Sequence, residues 1–392
     1  VVPLTGGDTL ILLQDLTEIL IRIGRFLLFP TAFFAMIIAV DEMRDDHRIA
    51  SVVIRTVVAA AATVLVAVGV AVVAVTVLQP QRIPPMVQES VVAAPPEVLE
   101  RFRESIPYNG FQVFTLGADA AALSLVVAFL IGWTLQFDRE MTSPISLVAD
   151  SANRILYRLV ERLTAVLGFL LAIPAGMVVV QLRHTEDLVL FTQFLIVVAT
   201  TVVVLGVVVY PVVLYLVHRS VRDTVGWVRG MTAPGIAALL SGDVYFATPT
   251  FARVAAEDLG VPRRIGGSVG YLVVVFNRAG SALVAVAGFL LVIRSYTALE
   301  IGFGAILDIA VTGVLSSFLL GRTPAGAVTL LLSYLAVSYG RGMEESYLIL
   351  LPIIPILERL GAWLDVMTHG FITLLVTDTE GLHRPTEGRV TV

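Results

Sequence analysis

Two long apolar segments in the C-terminal half of the chain are interrupted by residues that a lipid-embedded helix rarely tolerates. The first, GGSVGYLVVVFNRAGSALVAVAGFLLVI at 266–293, is interrupted by Asn277, Arg278 and Gly280. The second, LILLPIIPILERLGAWLDVMTHGFITLLV at 348–376, contains prolines, glycines and charged residues. Lipid cannot satisfy open backbone groups, so irregular chain at membrane depth must lie within protein or face water. The interruptions therefore predict two broken transmembrane helices.

Composition independently predicts a membrane protein. The 392-residue chain is 57% hydrophobic and only 15% charged, with a mean hydropathy of +0.91. Long charge-poor runs recur along most of its length, and a helix needs about 20 apolar residues to cross the hydrocarbon. Seven spans are predicted, at about 9–40, 49–79, 112–136, 153–181, 187–217, 265–294 and 347–377.

Two further apolar segments, 227–260 and 300–342, carry central polar, glycine and proline residues. We interpret them as re-entrant helical hairpins whose tips lie at about 241–249 and 317–327. Paired irregular segments in corresponding halves of a sequence are typical of the binding site of a secondary transporter. The half-helix ends at 277–280 and at 358–361 would leave backbone groups and dipoles free to bind ions.

Loop charges predict an orientation. Arginines cluster in the first short loop, around residues 139–162, after the fifth span and at the end of the first hairpin. The positive-inside rule puts these loops in the cytoplasm of a multi-pass protein of the inner or plasma membrane. The net charge of −5 and the lack of a basic tail argue against a nucleic-acid partner. Residue 1 is Val, so an upstream segment is expected to precede this chain.

Several short motifs, in order, resemble those of the dicarboxylate/amino acid:cation symporters, the glutamate-transporter family. The similarity runs over nearly the whole chain, which resembles a divergent member of that family. NRAGSAL at 277–283 stands where that family has Asn-Met-Asp-Gly-Thr-Ala-Leu, and GRTPAGA at 321–327 stands at its second hairpin tip. The other similar motifs are FLLFP at 26–30, IPYNGF at 106–111, TPTFARVAAEDLGVPRRI at 248–265 and TEG at 379–381.

The resemblance implies an all-α membrane fold with two re-entrant hairpins and two broken helices. It also implies a homotrimer with an alternating-access mechanism. Residues 1–217 would then be mainly scaffold, with 49–79 assigned to the transport domain. The transport domain core would be 218–392, comprising hairpin 1 at 227–260, a broken helix at 265–294, hairpin 2 at 300–342 and a broken helix at 347–377.

The family's substrate site maps onto positions that depart from its pattern. Gly361 occupies the position of the arginine that recognises an acidic side chain, and Glu358 that of the aspartate that binds the substrate amino group. Asp365 replaces an asparagine of the site. The substrate-binding candidates are Asp243, Val244, Tyr245, Arg278, Ser281, Arg322, Thr323, Glu358, Gly361 and Asp365.

The sodium-binding positions depart as well. The motif aspartate that binds sodium is Ala279 here, and a second sodium-ligating carboxylate is His369. The ion-coupling candidates are Thr63, Asn277, Asp365 and His369. No other metal-binding site is predicted. The coupling ion is left as sodium or a proton, with no organic cofactor.

Each charged candidate has a structural alternative. A central arginine costs about 2.5–3.5 kcal/mol to insert, so Arg278 is expected to pair with Asp365 or Glu358, to replace a bound cation or to bind substrate. Asp243 is expected to cap a hairpin helix, with contact to the substrate as the alternative. Asp365 and His369 lie four residues apart and can meet on one helix face. Arg322, at a hairpin tip, is either solvated or a ligand.

The sequence thus predicts a secondary active transporter of a small carboxylate or amino-acid-like solute, with degraded sodium sites. A non-transporting sensor or receptor on the same fold and an anion channel are the alternatives. The sequence has no HExxH motif and no paired-aspartate motif of the usual spacing, so it does not indicate an enzyme. The expected partners are a small-molecule solute, membrane lipid and further copies of the chain.

Overall fold

The computed structural model describes residues 7–84, 121–184, 188–297, 301–320, 323 and 325–382, and these ranges are helical without strands. The helices of the N-terminal part are α1 (Gly7–Phe26), α2 (Leu28–Asp45), α3 (Ile49–Leu78), α4 (Ala121–Thr134), α5 (Arg139–Leu170), α6 (Ala172–His184), α7 (Leu188–Val203) and α8 (Tyr210–His218). A π-helical turn, Val204–Val209, joins the last two.

The C-terminal part begins with two helices that form hairpin 1 and ends with one long helix. Its helices are α9 (Val221–Ser241), α10 (Val244–Glu257), α11 (Arg263–Ile265), α12 (Tyr271–Phe276), α13 (Ala279–Tyr296), α14 (Phe303–Ser317), α15 (Ala327–Tyr339) and α16 (Ile354–Thr379). A π-helical segment, Gly266–Gly270, joins α11 to α12, and a 3₁₀ helix, Ser346–Ile353, leads into α16.

Six of the predicted spans correspond to helices long and apolar enough to cross a membrane among the described residues. They are Ile11–Asp45, Ile49–Leu78, Arg139–Arg183, Leu188–Val217, Arg263–Tyr296 and Ser346–Thr379. The seventh predicted span, 112–136, is described from residue 121 onward, where α4 forms a shorter apolar helix. The protein is therefore a multi-pass, all-helical membrane protein. The IPYNGF motif lies outside the described residues.

Helix α13 is the centre of the C-terminal part. Every residue from Ala279 to Ile293 is buried, and α3, α14, α15 and α16 all pack against the helix. Small residues permit this close packing: a Cβ on Gly280 would lie only 2.4 Å from the carbonyl oxygen of Gly361 on α16. A single apolar helix is thus surrounded by protein on all sides, which is the environment that its interrupted start requires.

Both predicted hairpins form as pairs of packed helices, α9 with α10 and α14 with α15. Hairpin 1 turns at Gly242 (φ +68°), a left-handed conformation that suits glycine. The 14-residue α10, like the 15-residue α14 and 13-residue α15, extends roughly 20 Å, short of the roughly 30 Å hydrocarbon thickness. That the hairpins enter the membrane and turn back stays a prediction.

The first predicted helix break is confirmed and the second is displaced. Helix α12 ends at Phe276 and α13 begins at Ala279, leaving Asn277 extended. The break predicted at 358–361 is wrong, because α16 is continuous from Ile354 to Thr379. The irregular piece precedes it, in the 3₁₀ helix that contains Pro352. Pro355 occupies the first turn of α16, where its missing N–H costs nothing.

Candidate functional site

The break between α12 and α13 is tied to α3 by the side chain of Asn277. Its Nδ2 donates to the carbonyl oxygen of Ala60 at 3.2 Å and to Oγ1 of Thr63 at 3.0 Å. Its Oδ1 accepts from the backbone N–H of Ala279 at 3.3 Å. A carbonyl only accepts and an N–H only donates, so these partners determine the amide orientation. An amide N–H therefore points at the oxygens of α3.

The backbone carbonyl of Asn277 is also occupied by a donor. Nε2 of His369, on α16, lies 2.8 Å from this oxygen. Because the carbonyl accepts only, Nε2 carries the proton and Nδ1 does not in the neutral ring. Nδ1 has no hydrogen-bond partner among the described residues. Both His369 and Asn277 are fully buried, so this bond lies in the interior of the bundle.

Asp365 binds the N-terminus of α13 from the neighbouring helix. Its Oδ1 accepts from the backbone N–H groups of Gly280 at 2.7 Å and Ser281 at 3.2 Å, and its Oδ2 accepts from Oγ of Ser281 at 2.6 Å. A negatively charged carboxylate at this end also interacts favourably with the positive end of the helix dipole. Asp365 and His369 share a face of α16, as predicted, but each bonds to a different group of the break.

Glu358 plays the same role for hairpin 2. Its carboxylate accepts from the backbone N–H of Val328 at 3.2 Å, and from the N–H and the hydroxyl of Thr329, both at 2.7 Å. These are the first residues of α15, so one helix caps the N-termini of two others. Arg359 points elsewhere: its NH1 donates to the carbonyl of Pro355 at 2.6 Å.

Asp243 is a helix cap, as predicted, and also forms an ion pair that the sequence did not suggest. Its Oδ1 accepts from the backbone N–H of Phe246 at 2.7 Å in the first turn of α10. Its Oδ2 pairs with the guanidinium of Arg25, on α1. The carboxylate is fully buried. An arginine within the apolar run IRIGRFLLFP was the available signal for this partner.

Arg278 is a fully buried cation. The residue is 0% exposed, and its guanidinium carbon lies 5.4 Å from the centre of the Tyr245 ring. Among the described residues, none of its three guanidinium nitrogens has a hydrogen-bond acceptor. The ion pair considered with Asp365 or Glu358 is not formed, because those carboxylates bind helix N-termini instead.

Gly361 lies where helices converge, and no space remains beside it. A Cβ at this position would lie 2.9 Å from Cγ2 of Val328, 3.2 Å from Cα of Ser281 and 3.3 Å from Oγ of Ser281. Helices α13 and α15 thus fill the volume that an arginine side chain would require. The position is closed as well as uncharged.

The remaining candidates are Thr63, Val244, Tyr245, Arg322 and Thr323. Val244 and Tyr245 are buried in the first turn of α10, and Thr63 is buried on α3. Thr323 is half-buried and its N–H donates to the carbonyl of Leu320 at 2.8 Å. Arg322 lies outside the described residues. The structure therefore brings together Thr63, Asn277, Ser281, Val328, Glu358, Gly361, Asp365 and His369 around the start of α13.

A multi-pass helical bundle, with an interrupted helix held at its centre by buried polar groups, defines a membrane transport protein by class. The model of the sodium:dicarboxylate symporter family matches residues 2–379, and the chain belongs to that family. No curated protein matches the chain. The resemblance inferred from the sequence motifs is thereby confirmed, and the family is one of symporters of small solutes with sodium as the coupling ion.

Proposed function

We propose that the protein is a secondary transporter of a small anionic carboxylate or amino-acid-like solute, and that its sodium coupling is reduced or lost. Arg278 carries the proposal. Its fully buried guanidinium has no acceptor among the residues that the structure describes, which is energetically costly, and an ionised residue at this depth marks a substrate or ion pathway. A solute carboxylate would supply the missing acceptors in a planar, two-point contact.

In this proposal the substrate is recognised differently from the way the family recognises acidic amino acids. The position of the family's recognition arginine is Gly361, and its surroundings are filled by Val328 and Ser281. A second carboxylate on the solute therefore has no partner on α16. Arg278 approaches from a different helix and serves one carboxylate, so we expect monocarboxylates or neutral amino acids rather than dicarboxylates.

Reduced sodium coupling is supported by the hydrogen bonds around Asn277. Sodium requires oxygen ligands. Here an N–H of Asn277 already donates to Ala60 and Thr63, and an N–H of His369 donates to the Asn277 carbonyl. Ala279 contributes no side-chain oxygen. Donors thus occupy the oxygens on which a cation would depend, and coupling would pass to protons or to solute exchange.

The proposed mechanism divides the molecule into a scaffold and a mobile transport domain, residues 218–392 together with α3. Packing supports the assignment of α3, which lies against α13, α14 and α16. Assembly as a homotrimer is part of the same proposal and follows from the family resemblance.

The test is solute uptake by proteoliposomes at fixed pH, with sodium or choline as the external cation. Lactate, L-alanine, succinate and L-aspartate serve as probes. We expect uptake of a monocarboxylate or neutral amino acid that is unchanged when choline replaces sodium. Arg278→Gln should abolish it, whereas Arg294→Gln, near the C-terminal end of α13, should not.

Three outcomes would contradict parts of the proposal separately. Uptake that rises steeply with sodium concentration would overturn reduced sodium coupling. Tight binding of L-aspartate that survives Arg278→Gln would overturn the role of that arginine. Solute binding without uptake would identify a receptor rather than a transporter.

A further inference from the structure

A second polar site lies away from the break, between the N-terminal helices and hairpin 1. It is a cavity of about 490 Å³, a size typical of small-molecule sites. On one side it is lined by α2 and α5, and on the other by α10 and the segment from Val261 to Tyr271. Its polar lining comes mainly from Asn153, Arg154, Tyr157, Arg158 and Arg263.

The lining carries an excess of positive charge. Asp150 pairs with Arg154 at 2.9 Å and also with Arg263. The amide oxygen of Asn153, when oriented toward Arg263, accepts from that guanidinium at 2.9 and 3.1 Å. Asp150 therefore serves two arginines, and Glu42 also lies near enough to Arg263 to interact with it electrostatically. Arg158 has no ion pair among the described residues.

A hydroxyl donor is also available in this cavity. The oxygen of Tyr157 is buried and has no hydrogen-bond partner among the described residues. It lies on α5 next to Arg158, and both residues line the cavity. The exposed guanidinium of Arg158 and the buried hydroxyl of Tyr157, neither of which has an acceptor in the described part of the chain, together suit an oxyanion such as a phosphate.

The outer face of α5 indicates where such an anion comes from. Ile155 is 61% exposed and lies three residues before Arg158, on the same side of the helix. Leu159 is 43% exposed and lies one turn after Ile155. We propose that the cavity binds the phosphate of an anionic phospholipid, with an acyl chain lying along Ile155 and Leu159. The predicted orientation puts this arginine-rich part of α5 at the cytoplasmic side, where anionic headgroups attract basic residues.

The bound headgroup contacts helices on both sides of the cavity. It joins α2 and α5 to hairpin 1, so it stabilises this arrangement of the bundle. The inference does not depend on the identity of the solute or the coupling ion, because none of the residues around Asn277 contributes to this cavity.

The test is thermal unfolding of the purified full chain in detergent, with phosphatidylglycerol, phosphatidylcholine or inorganic phosphate added. Ligand that binds the folded state raises the midpoint. We expect phosphatidylglycerol to raise it and phosphatidylcholine and phosphate to leave it near the lipid-free value. Arg158→Gln should remove most of the shift, and Tyr157→Phe part of it.

Arg162→Gln is the matched control, since Arg162 is exposed, lies one turn further along α5 and does not line the cavity. Equal responses of the Arg158→Gln and Arg162→Gln variants to phosphatidylglycerol would overturn the site. An equal rise with inorganic phosphate would overturn its assignment to lipid. Arg158 makes no described ion pair, so its substitution should leave the lipid-free midpoint unchanged.

Discussion

His369 determines what the Asn277 carbonyl can bind. Its Nε2 proton occupies one of the two lone pairs of that oxygen, at a donor–acceptor distance of 2.8 Å. The same residue type at a surface position would exchange its bond with water. Here both groups are fully buried, so water does not compete for this bond.

Removal of the imidazole should therefore destabilise the protein. His369→Ala leaves a buried carbonyl without a donor, which costs about 1–3 kcal/mol, in addition to the lost packing. The measurement is the unfolding midpoint in detergent without sodium. Thr373→Val is the control on the same face, because its hydroxyl has no hydrogen-bond partner among the described residues. If both variants unfold at the same temperature, the His369 bond contributes nothing.

Gly280 provides a second prediction at this scale. Its missing Cβ lets α13 approach α16 closely, since an added Cβ would lie only 2.4 Å from the Gly361 carbonyl oxygen. Gly280→Ala should lower stability by about 1–3 kcal/mol through overpacking. Gly69→Ala, on α3, meets no atom within 4 Å and should leave the unfolding midpoint unchanged or slightly higher. Equal effects would show that the contact is not tight.

At the scale of elements, α16 organises the helices around it through carboxylates. Asp365 caps α13 and Glu358 caps α15, and the two acidic residues are seven positions apart, so they lie on one face of the helix. Helix α16 itself is held at its C-terminal end by Arg48 and Arg55, which pair with Glu380 at 3.7 and 3.1 Å. Positive charges at this end interact favourably with the negative end of the helix dipole.

Loss of one cap should loosen one helix selectively. Glu358→Ala leaves the first N–H groups of α15 without acceptors, so these amides should exchange hydrogen faster. Hydrogen–deuterium exchange with mass spectrometry measures this, and the first turn of α13 serves as an internal reference. Glu345→Ala, at an exposed position, is the matched control. Unaltered exchange in α15 after Glu358→Ala would contradict the capping role.

At the scale of the whole molecule, ion pairs join the parts that the proposed mechanism requires to move. Arg25 of α1 pairs with Asp243 at the tip of hairpin 1, and Arg264 of α11 pairs with Asp46 after α2. In the first pair the side chain of Asp243 is fully buried. In the second pair both side chains are partly exposed. Motion of residues 218–392 past the scaffold would have to break or exchange them.

Distance measurements between spin labels test that motion. The chain contains no cysteine, so paired cysteines can be introduced at exposed sites without background labelling. A pair at Val166 and Val225 joins the proposed scaffold to the transport domain, and its distance distribution should change when a transported solute is added. A pair at Val225 and Val337, both in the transport domain, should not change. Identical behaviour of the two pairs would contradict the division.

Much of the architecture was determined by the sequence itself, because its signals are local. Apolar length predicts the spans, and Asn277 with Arg278 locates the first break correctly, since a polar pair cannot continue a lipid-facing helix. Asp243 was correctly predicted as a cap from residue type alone. The second break was placed wrongly because Pro355 and Gly361 look like helix breakers, whereas a first-turn proline and a packed glycine are compatible with a helix.

Only the tertiary structure decided what the polar residues bind. That Asp365 and Glu358 cap two other helices, that His369 donates to Asn277 and that Arg25 reaches Asp243 all depend on contacts between residues far apart in sequence. Spacing along a helix gives the face of a side chain but not the partner opposite it. The space beside Gly361 is likewise set by α13 and α15, which no local pattern specifies.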